Sequence, residues 1–362
     1  MNPLLVSIEK LLSANVGVAY SAASLSFGKG AIPSTIVVGN AHEATWFDLA
    51  SLTKPLSTAL LTMRLCDQNK VQLDESVLPD ATLVHLLSHT AGFPACFPPL
   101  WAEKQGLLQR PSDLSRKAVL QSAAQADREA VGRRSVYSDL GYIVLGDLLE
   151  HRGQARLDEQ LSQLLAPLEL SLGFRPLDRV ASDVPKPQDI APTRRETPHR
   201  EELVGVVHDD TARAMLGVAG HAGLFGTSTA VYRLTNALLH RYHDEKPTQK
   251  HLCLRSQTVR RFFRLPAQPG LPGTFGLGFD HPDPIRPGEP CLSSAGTLWP
   301  RDGVGHLGFT GCSFWLDQKT RLCAVLVSNR VCAKTTIEAE QRKAALRVLR
   351  PALHDAIVRW AS

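Results

Sequence analysis

Apolar, β-prone runs lie near both ends of this chain and are scarce in its middle, and that distribution restricts the fold more than any single motif. Val16–Phe27 and Thr35–Val38 flank a Gly/Pro-containing turn at 28–33, the pattern of a β-hairpin. Near the other end, Ser313–Leu316 and Leu322–Ser328 are separated by the polar turn 317–320, a second strand-turn-strand. Between them the periodicity is helical. From Leu52 to Cys66 the apolar residues Leu56, Ala59, Leu60 and Met63 share one helix face, and Thr82–His89, Pro111–Ala126 and Gly141–His151 also read as helices. A sheet must therefore be assembled from the two termini, with a mostly helical lobe inserted into it. The expected class is α/β in composition and α+β in arrangement: an antiparallel sheet flanked by helices. An amphipathic start (Leu4, Leu5, Ile8, Leu11, Leu12) and a closing helix over Thr336–Trp360 would cover the sheet, with Pro351 predicting a kink or break in the latter. Residues 176–203 and 266–300 are proline-broken and read as long surface loops.

At 362 residues, 43% hydrophobic and 21% charged, the chain can bury a large core without a structural metal or disulfide. We read residues 1–362 as one domain, with sublobes near 1–60 plus 215–362 and 61–214. Forty Lys and Arg against 35 Asp and Glu leave a net charge of +5, too mild to suggest a nucleic-acid partner. The densest basic patch, Arg194, Arg195, His199 and Arg200, is interrupted by Glu196, Glu201 and Glu202 and reads as a solvated loop. Seven cysteines, odd in number and without a C-x-x-C pair, lack zinc-ribbon or thioredoxin spacing and fit a reducing compartment. With no basic n-region and no apolar run of about 18 residues, the expectation is a cytoplasmic protein without a membrane span. The oligomeric state is left open.

The sharpest local pattern is Ser51-Leu52-Thr53-Lys54 at the start of a helix. Three-residue spacing puts both side chains on one face. A serine hydroxyl becomes a nucleophile when a base takes its proton, and a desolvated lysine amine can do so. Pro55 marks the helix start. A helix cap followed by a surface lysine gives the same four residues by chance, so the pattern needs support from elsewhere in the chain.

That support comes from Tyr137-Ser138-Asp139, ahead of the Gly141–His151 helix, and from the string Gly305–Gly311 ahead of the terminal strand pair. With Ser-x-x-Lys, these resemble the three motif boxes of serine β-lactamases and penicillin-binding proteins, in order and rough spacing. Further strings at Leu86–Pro94, Val218–Thr227 and His306–Asp317 extend the resemblance over roughly residues 45–330. It points to β-lactamase-related serine hydrolases of class C-like architecture, which include D-aminopeptidases and esterases. The resemblance implies a β-lactamase/transpeptidase-like fold. It further implies Ser51 as acylated nucleophile, Lys54 as general base and Tyr137 as proton relay. The backbone N–H groups of Ser51 and Phe309 would form the oxyanion hole, with Gly308 allowing close approach. His306 replaces the lysine of K-T-G and could donate to a substrate carboxylate, though with less charge at neutral pH. Asp139 stands where lactamases carry asparagine. As an acceptor it opposes lactam chemistry and suits an amine-bearing substrate, or it pairs with Lys54 at rest, or it merely caps the following helix. No metal or organic cofactor is implied.

Other patterns carry less. His85 and His89 have zincin spacing without the glutamate, so a loop-bracing His89 is expected. His221 reads as a backbone support or a cleft residue. Gly303–Gly308 spells G-x-G-x-x-G but follows a Pro-rich loop and leads into strands, which is not the dinucleotide setting. Trp46, Trp101, Trp299 and Trp315 read as core or cleft walls. The partner expected is a small-molecule or short peptide substrate: a D-amino-acid-containing, muropeptide-like amide first, a small carboxylester second. A weakly active binding or sensor module is the third possibility.

Overall fold

In the computed structural model, which describes residues 2–109, 111–179, 185–195, 201–245, 251–264, 273–284 and 293–362, the sheet is built from both termini. Strands β1 (Ala22–Gly28) and β2 (Ser34–Gly39) form the first hairpin. Strands β3 (Val304–Leu307), β4 (Ser313–Leu316) and β5 (Cys323–Ser328) come from the C-terminal part, and the order across the sheet is β3-β4-β5-β1-β2, all antiparallel. The register Leu25↔Leu326 joins the two ends of the chain at the sheet centre. The run Val16–Phe27 pairs only from Ala22; its first part closes a turn through the isolated bridge Val16↔Tyr20.

Alternation along the strands sorts the two faces. Ala23, Leu25, Phe27, Trp315, Ala324 and Leu326 pack against helices α1 (Pro3–Ser13) and α5 (Thr336–Ala361) through Ile8, Leu12, Leu349, Leu353 and Ile357. The opposite face carries Phe314, Leu316, Cys323, Val325 and Val327, continuous with the apolar core of the helical region. On that face Ser24 and Ser26 hydrogen-bond to Ser228 at 2.7 and 2.8 Å, at the start of helix α4 (Ser228–Tyr242). Leu25 is fully buried in the central strand. Leu25→Ala is expected to cost about 2–5 kcal/mol, read as a lower urea midpoint with an unchanged slope.

Of the two alternatives at Pro351 the break does not occur, and the reading of one helix after Ser51 needs correction. The closing helix runs through Pro351 without a break, because leucines on both sides of the proline are buried against the sheet and hold the segment despite the missing N–H. The segment after Ser51 is not one uniform α-helix. It begins as a 3₁₀ turn (Ala50–Leu52), widens into a π segment (Lys54–Ala59) and only then becomes α2 (Leu60–Asp67). Pro55 has no N–H, and its ring would clash with the Ser51 carbonyl in a regular α ladder, so the ladder widens there.

The other expected helices form at Leu83–Leu87, Asp113–Ala124 and, as α3, Asp139–Gly153. The basic loop is paired as expected, with Arg194 to Glu202 and Arg195 to Glu201 and Glu103; His199, Arg200 and Glu196 lie outside the described residues. No helix among the described residues is long and apolar enough to cross a membrane.

Candidate active site

Ser51 follows the short strand Phe47–Asp48, and the backbone before it is strained: Ala50 has φ +47°. A left-handed alanine costs on the order of 1–3 kcal/mol and persists only where its surroundings enforce it. Here Asp48 Oδ1 accepts the Ala50 N–H at 2.8 Å while Oδ2 accepts the His208 N–H at 2.7 Å. Thr53 Oγ1 donates to Ala50 O at 2.6 Å and accepts the Leu224 N–H at 3.1 Å. Burial pushes the Asp48 carboxyl up to about 6, against the two N–H groups that favour its charged form. The turn presenting Ser51 is thus clamped from two directions.

Lys54 is fully buried directly below Ser51. Its Nζ donates to Ser51 Oγ at 3.0 Å, to Asp139 Oδ1 at 2.6 Å and to His221 O at 3.3 Å. Three acceptors match the three protons of an ammonium. Burial alone would lower the lysine pKa, but Asp139 and Tyr137 outweigh it and hold the group above its ordinary value. Tyr137 lies beside both Lys54 and Ser51 and interacts electrostatically with them, and the ammonium sits 4.6 Å from its ring centroid. Burial raises the phenol pKa, so Tyr137 rests protonated.

His89 sets the position of Tyr137. Its carbonyl accepts the Val136 N–H at 2.8 Å and its Nδ1 accepts the Ser138 N–H at 3.0 Å. Its ring packs between Tyr137 and Tyr142, with centroids at 4.6 and 4.9 Å. Burial, Lys54 and His306 push its pKa well below the usual range, so it remains a neutral brace. Ser138 Oγ caps α3 by accepting the Gly141 N–H. Asp139 is therefore not the cap: it is the first helical residue, and its carboxylate turns to Lys54.

His306 on β3 is buried, and its Nδ1 donates to Leu307 O at 2.8 Å. Burial and Lys54 lower its pKa to about 3, so the ring is neutral and its Nε2 offers a lone pair. This reverses the expectation that His306 donates to a substrate carboxylate. At Gly308 a Cβ would stand 2.7 Å from Leu49 O and 3.1 Å from Cys312 Cβ. Gly308→Ala must push β3 away from the segment bearing Ser51, and is expected to destabilise by about 1–3 kcal/mol and to depress activity, read by thermal melt and initial rate.

Ser51, Tyr137, Asp139, His306, Gly308 and Phe309 all line one cavity of about 790 Å³, with Lys54 beneath its floor. The walls differ. Phe97 stacks on Trp101 with centroids 4.0 Å apart, and with Pro98, Leu140 and Ile143 makes an apolar side. Asp139, Asp209 and Asp210 give an acidic side, whereas Arg330, Lys343, Arg347 and Arg350 give a basic one. His221 both supports the backbone and lines the cavity: its carbonyl meets Lys54 and its Nε2 lies 2.9 Å from Asp209 Oδ1. Burial would raise Asp209, but His221 holds it well below the usual carboxylate range. Sequence reasoning missed Asp48, Asp209, Arg330 and Arg350. No spacing ties them to the motif boxes, and only the motif-like string around His221 hinted at this wall.

The sequence profile of the Beta-lactamase family matches residues 8–347. The chain belongs to the Beta-lactamase family. It is 28% identical over 319 residues to the N-acetylmuramyl-L-alanine amidase of Bacillus subtilis (strain 168), covering 79% of this chain and 68% of that protein. A putative D-alanyl-D-alanine carboxypeptidase of Escherichia coli (strain K12) is 26% identical over 326 residues, 80% of this chain and 70% of the relative. The unliganded simvastatin synthase LovD of Aspergillus terreus superposes with a TM-score of 0.70 at 19% identity, covering 99% of both chains. The fold is thus the β-lactamase/transpeptidase-like one, and the chain is a β-lactamase-family serine hydrolase.

Proposed function

We propose that this β-lactamase-family chain hydrolyses an amide in a small D-amino-acid-containing, muropeptide-like substrate through an acyl-enzyme on Ser51. The observation that carries this reading is the buried Lys54 ammonium, bonded at once to Ser51 Oγ, Asp139 and His221 O beneath the floor of the cavity, with the Tyr137 ring centroid 4.6 Å away. Relatives named as an amidase and a putative D-alanyl-D-alanine carboxypeptidase support the substrate class.

In this reading Ser51 Oγ attacks the substrate carbonyl while its proton passes to neutral Lys54, and Tyr137 relays a proton to the departing amine. Water then resolves the ester on Ser51, regenerating the hydroxyl and releasing the acid. The N–H groups of Ser51 and Phe309 stabilise the tetrahedral oxyanion. Lys54 must first lose its charge, and Asp139 opposes that. A substrate ammonium placed against Asp139 weakens its hold on Lys54, so binding of an amine-bearing substrate itself releases the base. His306 Nε2 and Asp139 both accept hydrogen bonds, and Asp209 adds negative charge nearby. The substrate end lying there carries N–H donors rather than a carboxylate.

Ester hydrolysis is the second reading, favoured by the Asp139–Lys54 contact, because an ester leaving group needs less protonation than an amine. Comparison of kcat/KM for a D-alanyl peptide amide with that for para-nitrophenyl butyrate separates the two. Release of an amine at an appreciable rate supports the amidase reading; turnover confined to the ester replaces it with the second. Nitrocefin hydrolysis is expected to be feeble, and a rapid colour change would contradict the role assigned to Asp139.

A further inference from the structure

Two guanidinium groups hold the peptide units on either side of the Phe309 Cα, Arg350 the Gly308–Phe309 unit and Arg330 the Phe309–Thr310 unit. Arg350, on α5, donates from Nη2 to Gly308 O at 3.2 Å and to Cys312 O at 2.9 Å. Arg330 donates to Phe309 O from Nε at 3.0 Å and Nη2 at 2.5 Å, and its guanidinium carbon lies 4.6 Å from the Phe309 ring centroid. The turn is already closed without them, by Gly308 N–H to Cys312 O at 2.8 Å and Gly311 N–H to Gly308 O at 3.0 Å. The two cations are therefore additional to what the turn needs for its shape.

Arg350 is also an expensive residue to keep there. Among the described residues no carboxylate pairs with it, and its Nε is buried without a partner. Burial, reinforced by Arg330, brings its pKa down to about 10, so it still carries its charge at neutral pH. A half-buried cation without an anion still loses part of its hydration at a cost to stability, and a neutral side chain could tether a turn more cheaply. What only a cation adds is polarisation. Drawing electron density from the Gly308 carbonyl makes the N–H of the same peptide, that of Phe309, a stronger donor.

We propose that Arg350, assisted by Arg330, is a positioning residue that holds and polarises the Gly308–Phe309 peptide so that the Phe309 N–H faces the developing oxyanion. This rests on the acylation of Ser51 proposed above. In Arg350→Met, hydrolysis of para-nitrophenyl butyrate is expected to lose about tenfold to a hundredfold in kcat, less than removal of an oxyanion donor itself, with KM little changed. The infrared stretch of a ¹³C-labelled acyl carbonyl on Ser51 should move to higher wavenumber, because a weaker hole polarises it less. Arg350→Lys should recover part of both, and guanidinium ion added to Arg350→Ala should raise its rate. If Arg350→Met does not fold, Arg350→Lys and Arg330→Gln carry the same readouts with smaller shifts.

An unshifted carbonyl stretch in a folded Arg350 variant overturns the inference, whether or not kcat falls, because a merely structural role would leave that frequency alone. Wild-type protein that forms no ester on Ser51 overturns the acylation reading and this inference together. Wild type that is acylated but indifferent to Arg350 overturns this inference alone.

Discussion

Ser51→Ala is expected to lower turnover by about a thousandfold or more while leaving Tm nearly unchanged, since the nucleophile and its base act as a unit. Ser51 is only partly buried, and the one hydroxyl removed accepts a single proton from Lys54. Lys54→Met should be equally inactive, but its stability will move more. The lysine is fully buried, and its loss leaves the Asp139 carboxylate, 24% exposed, without its 2.6 Å partner. That exposure lets the freed carboxylate take up water, so the change in stability should stay within about 2 kcal/mol, below the cost of stranding a fully buried charge. Initial rates and thermal melts on the same preparations check both variants. A rate retained by either would remove Ser51 and Lys54 from the chemistry.

Asp139→Asn should move the pH dependence, and its direction follows from the opposing influences on Lys54. Burial lowers the lysine pKa, whereas Asp139 and Tyr137 raise it to a net position above the ordinary value. The neutral base therefore accumulates only at alkaline pH, and the activity of the native protein should climb as pH rises. An asparagine removes the largest opposing contribution and leaves burial in control, so the rising limb of kcat should shift to lower pH. The pairing acts on stability in the same sense. A raised folded-state pKa contributes stability that is fully present below the ordinary lysine pKa and is lost as pH rises through the raised one. Asp139→Asn forfeits that contribution at neutral pH. The variant should also lose preference for amine-bearing over neutral substrates. A rising limb that stays in place would show that Asp139 does not govern the base.

The two hairpins were legible because β-prone runs with intervening turns need only local pattern; the edge strand β3, short and glycine-containing, was not read as a strand. Ser51 and Lys54 were legible for the same reason: three residues apart on one turn, they are bound to meet. The π segment was not, because helical periodicity does not reveal how Pro55 widens the ladder over Lys54–Ala59. Nor was the passage of the closing helix through Pro351, which depends on tertiary burial of the flanking leucines. Asp139 was singled out as an anomaly with three readings. Choosing among them required the fold, which brings it to a lysine 85 residues away and gives the helix cap to Ser138. The neutrality of His306 comes from burial and Lys54, and its tautomer hangs on a carbonyl one residue along, Leu307 O, whose direction no sequence pattern records. The guanidinium groups behind Phe309 come from α5 and from the turn just after β5, segments with no motif of their own.

The central claim is that Ser51 is an activated nucleophile at the floor of the cavity. Intact-protein mass spectrometry after incubation with a fluorophosphonate and, separately, a fluorescent penicillin tests it most directly, with Ser51→Ala beside each. A single adduct from the fluorophosphonate is expected on wild type and none on the variant, with any penicillin adduct equally dependent on Ser51. No adduct from either reagent on folded wild-type protein, or an adduct that survives in Ser51→Ala, would contradict it.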